Sequence, residues 1–388
     1  MSHCRIDLSA PDLMAKARAE TGIDLVDAEV EEPLKHLLQA LNTEAKLSGR
    51  GAAAMTERIL RILRNRLRMQ RDIAAHPEIL EQKIVRPVIL TGAGRTGSTK
   101  LHKLLASSGD FLHLPFWRGH SLSLITGDRN EDPAARIREA DEYVRWFDAH
   151  APQARSIHPF DTFEPEEETL IFEHGNFGGY MIAFAFVPSF IQWTGQHAMA
   201  HYAFLKRGLQ YLQWQFHADD ERRWLLKTPM HFGMEPVLAQ VFPDATFVAT
   251  HRDPLTTLAS QASLPTHYYR AYSDAEWARA LGPMMLELQT LGMQAFLGGR
   301  KDLPQLPTLD IAYSATTRDA LSVAERIYNH AGMSGPSDRA RAAMRKWENE
   351  NAQHKHGVHS YSLESFGLDE DTVKNRFREY REQFGHCF

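Results

Sequence analysis

Two segments of the sequence each place an apolar strand directly before a loop of glycine, hydroxyl and arginine residues that leads into a helix. The first runs from Val88 to Thr99 and reads VILTGAGRTGST. The second runs from Phe247 to Ser260 and reads FVATHRDPLTTLAS. Backbone N–H groups at a helix start and arginine side chains both bind phosphate-like anions. The repeated pattern therefore predicts two anion sites on one sheet, and a ligand with an anionic group at each end.

The composition is that of a globular protein with room for a large core. The 388 residues are 43% hydrophobic and 24% charged. A net charge of −5 argues against a general nucleic-acid-binding protein, which would present a basic face. Cys4 and Cys387 stand at opposite ends of the chain, as expected in a reducing compartment. The N-terminus shows no signal-peptide pattern and no apolar stretch is long enough for a membrane span, so we expect a cytoplasmic protein.

Strand patterns alternate with helix patterns along most of the chain. Strands are expected at 88–91, 224–227, 246–250 and 308–312, and helices at 101–106, 233–241, 254–262 and 318–331. We therefore predict an α/β fold, a P-loop-like three-layer sandwich with a central parallel sheet, over residues 86–388. Residues 1–85 are expected to form a helical N-terminal extension, and residues of about 130–220 a helical insertion or cap. Because ligands bind such sheets at the carboxyl ends of the strands, both loops can face one crevice.

Three segments outside the loops carry charged or aromatic clusters. An amphipathic helix in the N-terminal extension carries Arg58, Arg61, Arg64, Arg66, Arg68 and Arg71. We expect these arginines to form a solvated face rather than a membrane or partner surface. Glu166–Glu168 is expected to be a solvated helix start rather than a substrate site. The aromatic residues of 177–193 are interpreted as core, with the wall of an apolar acceptor pocket as the alternative.

The first loop has the glycine spacing of a nucleotide-binding P-loop but lacks its lysine. Gly92 and Gly97 match that spacing, yet Ser98 stands where the Walker motif has lysine. Arg95 can instead contact a terminal anion from the side, while N–H groups at Gly97, Ser98 and Thr99 point to it from the helix start. A P-loop kinase or NTPase, which also needs a metal-holding aspartate, is therefore the less favoured alternative.

Three motifs in this order resemble the bacterial branch of the PAPS-dependent sulfotransferase family, PAPS being 3′-phosphoadenosine 5′-phosphosulfate. Arg95-Thr-Gly-Ser-Thr99 resembles the 5′-phosphosulfate loop, and His251-Arg-Asp-Pro254 with Ser260 resembles the 3′-phosphate motif. Between them, Lys227-Thr-Pro-Met-His231 looks like the Lys-[Ser/Thr]-Pro-x-His segment. The resemblance implies transfer of a sulfuryl group from PAPS to a hydroxyl or amine, with no metal. A non-catalytic PAPS-binding protein on the same fold is the alternative.

The resemblance also implies a role for each motif residue. The 5′-phosphosulfate would be held by Arg95, Thr96, Gly97, Ser98 and Thr99. The 3′-phosphate would be held by Arg252 and Ser260, and Tyr313 would contact adenine. Lys227 and Arg95 would stabilise the leaving group. His231 is our candidate for the general base, because histidine titrates near neutral pH, and a structural histidine is the alternative.

The chain departs from the family pattern at several positions. Relatives often carry a carboxylate base in a Trp-Glu context, where this chain has Trp117-Arg118. His120 or His113 could replace that base, or Arg118 could bind an acidic acceptor. Lys100 stands where many relatives have a tryptophan that stacks on adenine, and the Arg-Lys-Gly type of C-terminal loop is missing. Part of the nucleotide contact is therefore expected from Lys355, His359 or Tyr361.

The acceptor is the least constrained part of this interpretation. An aromatic-rich insertion beside the cleft favours a small apolar alcohol or phenol over a charged glycan. The sequence predicts no nucleic-acid partner and leaves a homodimer open.

Overall fold

A parallel sheet of five strands forms the centre of the molecule. The computed structural model describes residues 3–351 and 362–388. The strands are β1 (Val88–Thr91), β2 (Phe111–Leu112), β3 (Arg223–Lys227), β4 (Thr246–His251) and β5 (Thr308–Ala312). Their order in the sheet is β2-β3-β1-β4-β5, and every neighbouring pair is parallel. The predicted fold class is confirmed, although the short edge strand β2 was not anticipated.

Helices cover both faces of the sheet and build the extension and the insertion. The N-terminal extension contains α1 (Ala10–Thr21), α2 (Glu31–Thr43) and α3 (Gly49–Ala75). The segment between β1 and β3 contains α4 (Ser98–Ser107), α5 (Phe116–His120), α6 (Ala134–His150), α7 (Thr169–Asn176), α8 (Tyr180–Phe184), α9 (Pro188–Gly195) and α10 (Ala198–Phe216). The remaining helices are α11 (Glu235–Val241), α12 (Pro254–Tyr269), α13 (Ala278–Asp302), α14 (Tyr313–Arg318), α15 (Ala320–His330), α16 (Asp338–Glu350), α17 (Glu370–Arg376) and α18 (Arg378–Phe384). One predicted helix, over 318–331, is wrong at its start, because α14 ends at Arg318 and α15 begins two residues later.

Alternate residues of the strands pack on opposite faces of the sheet. Val88 and Leu90 of β1 belong to a buried cluster that includes residues of α4 and α15. Ile89 faces the other way, into a cluster shared with the N-terminal extension and the insertion. This alternation is the period of two that a sheet covered on both faces requires. Within the described residues, no helix is both long and apolar enough to cross a membrane.

Three arginines of α3 are buried, so the prediction of a solvated basic face was wrong for them. Arg58, Arg61 and Arg66 are each 4% exposed. Arg58 Nε donates to Glu173 Oε1 over 2.9 Å, and Arg61 Nη2 donates to Glu173 Oε2 over 3.2 Å. Arg66 Nη2 donates to Asp27 Oδ1 over 2.9 Å. The amphipathic pattern of α3 could not reveal that α7 brings a buried carboxylate against its basic side.

The aromatic stretch of the insertion contributes mainly to the core. Phe177, Phe184 and Phe190 are almost fully buried. Phe184 stacks on Tyr268 of α12, with ring centroids 5.2 Å apart. The core interpretation of these rings therefore agrees with the structure, and their presence no longer argues for an apolar acceptor.

Candidate active site

The loop after β1 has a backbone that demands glycine at two positions. Gly92 has φ 138° and Gly97 has φ 88°, both in the region that L-residues rarely adopt. A Cβ atom at Gly92 would lie 2.4 Å from Thr250 Oγ1, and one at Gly97 would lie 3.0 Å from the ring of Tyr313. Gly97 is the N-cap of α4, so the first N–H groups of α4 have no partner within the helix. The loop can therefore present backbone donors to an anion, as predicted.

The loop after β4 lies beside the first loop, because β1 and β4 are neighbours in register. Arg252 Nη1 donates to the backbone carbonyl of Arg95 over 3.1 Å. The guanidinium of Arg252 also lies over the ring of Tyr313, 4.0 Å from its centroid. Asp253 caps α12 by accepting from the N–H of Leu255. The two predicted anion loops thus lie side by side at the carboxyl ends of β1 and β4.

Lys227, the last residue of β3, contacts the start of α4 from the other side of β1. Its Nζ donates to Thr99 Oγ1 over 3.0 Å and to Glu167 Oε1 over 2.5 Å. The side chain is buried, with 2% exposure. The ammonium group of Lys227 is therefore held at the first turn of α4, where an anion on the loop would meet it.

His231 lies behind Lys227 and is completely buried. Its Nδ1 is 3.1 Å from the hydroxyl oxygen of Tyr202. The hydroxyl proton of Tyr202 is donated to the carbonyl of Met230 over 3.0 Å. Burial raises the pKa of Tyr202 well above its usual value, so this hydroxyl keeps its proton. Nε2 of His231 faces Glu168 Oε2 at 3.6 Å.

The run Glu166–Glu168 is buried beside Lys227, so its prediction as a solvated helix start was wrong. Glu168 Oε2 accepts from the backbone N–H of Lys227 over 2.8 Å. Glu166 Oε1 is 3.2 Å from His158 Nε2. Burial raises the pKa of Glu166, but His158, Lys227 and the backbone N–H of Glu167 together outweigh that effect and the pKa falls to about 2. The only sequence signal for these site residues was an acidic run inside an apolar insertion.

Arg118, the candidate for binding an acidic acceptor, and His120 and His113, the alternative bases, have their partners elsewhere. Arg118 stacks on Phe216, 3.8 Å from the ring centroid, and its Nη1 is 3.0 Å from His217 Nε2. The ring of His120 packs on Tyr143 of α6, with centroids 4.9 Å apart. Burial lowers the pKa of His120 well below its usual value, and burial together with Arg118 lowers that of His113 to about 4.

The nucleotide contacts expected after Thr99 are only partly described. Nζ of Lys100 donates to Glu348 Oε1 of α16 over 2.8 Å. Lys355, His359 and Tyr361 lie outside the described residues. Within residues 3–351 and 362–388, no group of three or more histidine, cysteine, aspartate or glutamate residues could hold a metal ion.

The parallel sheet, its two anion loops and the lysine between them define a sulfotransferase fold. A model of the Sulfotransferase family matches residues 87–337, so the chain belongs to this family. Among solved structures, it is similar to sulfotransferase STF1 from Mycobacterium tuberculosis, at 28% identity and a TM-score of 0.77, over 97% of this chain and 100% of that chain. Sulfotransferase STF9 from Mycobacterium avium shares the fold, at 24% identity and a TM-score of 0.83, over 97% and 96% of the two chains. Both neighbours are bacterial, which confirms the predicted resemblance. No curated protein matched.

Proposed function

We propose that the protein transfers a sulfuryl group from PAPS to a hydroxyl or amine of a small molecule and releases adenosine 3′,5′-bisphosphate. The observation that carries this proposal is that Arg95, Lys227 and Arg252 all contact the two adjoining loops at the carboxyl ends of the strands. Lys227 Nζ lies 3.0 Å from Thr99 Oγ1, and Arg252 Nη1 lies 3.1 Å from the carbonyl oxygen of Arg95. Three cations at two adjoining loops suit a donor with phosphates at both ends.

The reaction would proceed by in-line displacement. The acceptor oxygen or nitrogen forms a bond to sulfur while the bond between sulfur and the bridging phosphate oxygen breaks. Negative charge then gathers on the departing bisphosphate, where Arg95 and Lys227 would stabilise it. The acceptor loses its proton to a general base, and holding the two reactants in line supplies much of the rate. In this proposal the loop N–H groups bind the 5′ end, and Arg252 and Ser260 bind the 3′-phosphate.

Two residues are candidates for the general base. His231 is the candidate predicted from the sequence, and it lies directly behind Lys227. A specific observation favours Glu167 as the second candidate, because its Oε1 contacts Lys227 Nζ at 2.5 Å and its side chain keeps 12% exposure. His231 and Glu168 have no exposed surface. An acceptor hydroxyl can therefore reach Glu167 more directly than His231.

For the acceptor we propose only the reacting group, a hydroxyl or an amine. The sequence favoured an apolar alcohol or phenol, but the aromatic stretch behind that inference forms core. The side chains around Lys227 include the polar pair of Glu166 and His158. A cytoplasmic location and a homodimer stay predictions from the sequence.

Calorimetry with adenosine 3′,5′-bisphosphate and with ATP tests the donor. We expect the bisphosphate to bind and ATP to bind far more weakly, since the first loop lacks the Walker lysine. Tight binding of ATP without binding of the bisphosphate would contradict the proposal. A screen of alcohols, phenols and amines with ³⁵S-labelled PAPS then identifies the acceptor. Binding of the donor without transfer to any of them would favour the non-catalytic alternative.

A further inference from the structure

Three buried threonine hydroxyl groups lie between the two anion loops. Thr91 ends β1, Thr96 lies within the first loop, and Thr250 lies near the end of β4, and each is only 1% exposed. Thr250 Oγ1 donates to the carbonyl of Thr91 over 3.2 Å and lies 2.7 Å from Thr96 Oγ1. Thr96 Oγ1 also lies 2.8 Å from the carbonyl of Ala93. The hydroxyl of Thr96 is therefore occupied inside the protein rather than turned to a ligand.

Thr250 links β4 to the end of β1 and to the first loop. Its hydroxyl touches both ends of the first loop, at Thr91 and at Thr96. Its backbone and hydroxyl also leave no space for a Cβ atom at Gly92, which would lie 2.6 Å from the Thr250 carbonyl oxygen. The first loop is thus shaped against this one residue of β4, and the close approach of Thr250 explains why position 92 is a glycine.

Thr250 also stands directly before the second motif. The next two residues are His251 and Arg252, and Arg252 returns to the first loop through the carbonyl of Arg95. A shift of Thr250 relative to Thr91 and Thr96 would therefore change the distance between the backbone donors of the first loop and the guanidinium of Arg252. That distance decides whether two phosphates on one nucleotide can bind at the same time.

We propose that Thr250 is a positioning residue that sets the spacing between the two donor-binding loops through its hydroxyl contacts with Thr91 and Thr96. This inference rests on the proposed donor with phosphates at both ends. In this proposal the hydroxyl acts through its two protein partners and does not itself bind the nucleotide. Its removal takes the Oγ1 donor away from the carbonyl of Thr91 and leaves the hydroxyl of Thr96 bound only to the carbonyl of Ala93, which favours a relaxed loop.

Calorimetry on Thr250→Val and Thr250→Ser tests the proposal, since valine keeps the shape and serine keeps the hydroxyl. The probes are adenosine 3′,5′-bisphosphate, adenosine 5′-phosphate and adenosine 3′-phosphate. We expect Thr250→Val to weaken the bisphosphate about tenfold and each monophosphate at most about threefold, because each loop still binds its own phosphate. Thr250→Ser should bind all three nucleotides nearly as the wild type does. Thr246→Val, at the opposite end of β4, is the matched control and should leave all three affinities unchanged.

Two results would overturn the inference. One is unchanged bisphosphate affinity in Thr250→Val, and the other is an equal loss for all three nucleotides, which would indicate a purely local effect. A wild-type protein that does not bind the bisphosphate would contradict the donor instead.

Hydrogen exchange of the unliganded protein tests the same role without any nucleotide. In Thr250→Val we expect amide exchange to rise in both 92–97 and 251–254, and in Thr250→Ser to stay as in the wild type. A rise in one loop alone, or in neither, would refute the coupling. If Thr250→Val does not fold, Thr96→Val removes the same hydroxyl contact from the other side and is held to the same criteria.

Discussion

Arg95 Nε donates a hydrogen bond to Ser260 Oγ over 3.0 Å, across 165 residues of sequence. The two residues belong to different anion motifs and are proposed to bind opposite ends of the donor. Arg95 has φ 68°, so its backbone turns in the left-handed region while its side chain reaches α12. This contact joins the two motifs directly through their side chains.

The 3′-phosphate is expected to depend on Arg252. Arg252→Ala should weaken adenosine 3′,5′-bisphosphate about tenfold to a hundredfold, the effect of losing a hydrogen bond to a charged group. Adenosine 5′-phosphosulfate, which lacks the 3′-phosphate, should bind nearly as to the wild type. Calorimetry with both ligands measures this difference, and Arg376→Ala, at an exposed pair with Glu287, is the control. Equal losses for the two ligands would contradict the role of Arg252.

The general base can be identified by comparing Glu167→Gln with His231→Gln, two substitutions that keep a polar side chain of similar size. If Glu167 is the base, Glu167→Gln should lower kcat by about a hundredfold to ten-thousandfold, while bisphosphate affinity changes little. His231→Gln should then lower kcat much less. Single-turnover assays with labelled PAPS give the rates. Glu164→Gln is the control, because Glu164 lies just before the run, its side chain is 45% exposed and its ion pair is with Lys103. The reverse ranking of the two variants would identify His231 as the base.

Glu235 is expected to make the fold less stable as the pH rises. The carboxyl group accepts from Thr91 Oγ1 over 2.7 Å, and burial raises its pKa from 4.5 to about 7. Between these values the folded state holds a proton that the unfolded state has released, so stability falls from about pH 4.5 to pH 7. Glu235→Gln should remove this pH dependence. Relative to the wild type, the free energy of unfolding of the variant should therefore be about 1–3 kcal/mol more favourable to folding at pH 8 than at pH 4.5. Thermal unfolding at both values checks it, and an identical effect of the substitution at the two pH values would argue against the shifted pKa.

Glu173 is expected to be essential for the packing of the N-terminal extension on the insertion. Glu173→Ala leaves Arg58 and Arg61 buried without their carboxylate, which should cost about 3–5 kcal/mol. Glu57→Ala removes the largely exposed partner of Arg64 and should cost less than about 1 kcal/mol. Urea unfolding compares the two variants. Similar small losses in both would show that the buried ion pairs contribute little.

Local patterns were enough to locate the strands and the loops that carry the anion motifs. β5 matches its predicted range, 308–312, and β4 extends only one residue beyond its predicted end. These elements could be predicted because a strand before a glycine-rich turn is encoded by neighbouring residues. The same patterns misplaced Glu166–Glu168 and three arginines of α3, Arg58, Arg61 and Arg66, since a charged residue in a periodic segment carries no signal about what packs against it.

The sequence by itself determined the order of the motifs, the glycines of the first loop and the absence of the Walker lysine. Only the tertiary structure decided that Glu167 contacts Lys227 across 60 residues and that Glu173 contacts Arg58 across 115. Backbone conformation depends largely on adjacent residues, whereas contacts between distant side chains depend on how whole helices pack on the sheet. The two loop motifs are therefore recognisable in the sequence, while the acidic side of the candidate site exists only after the insertion has folded against the sheet.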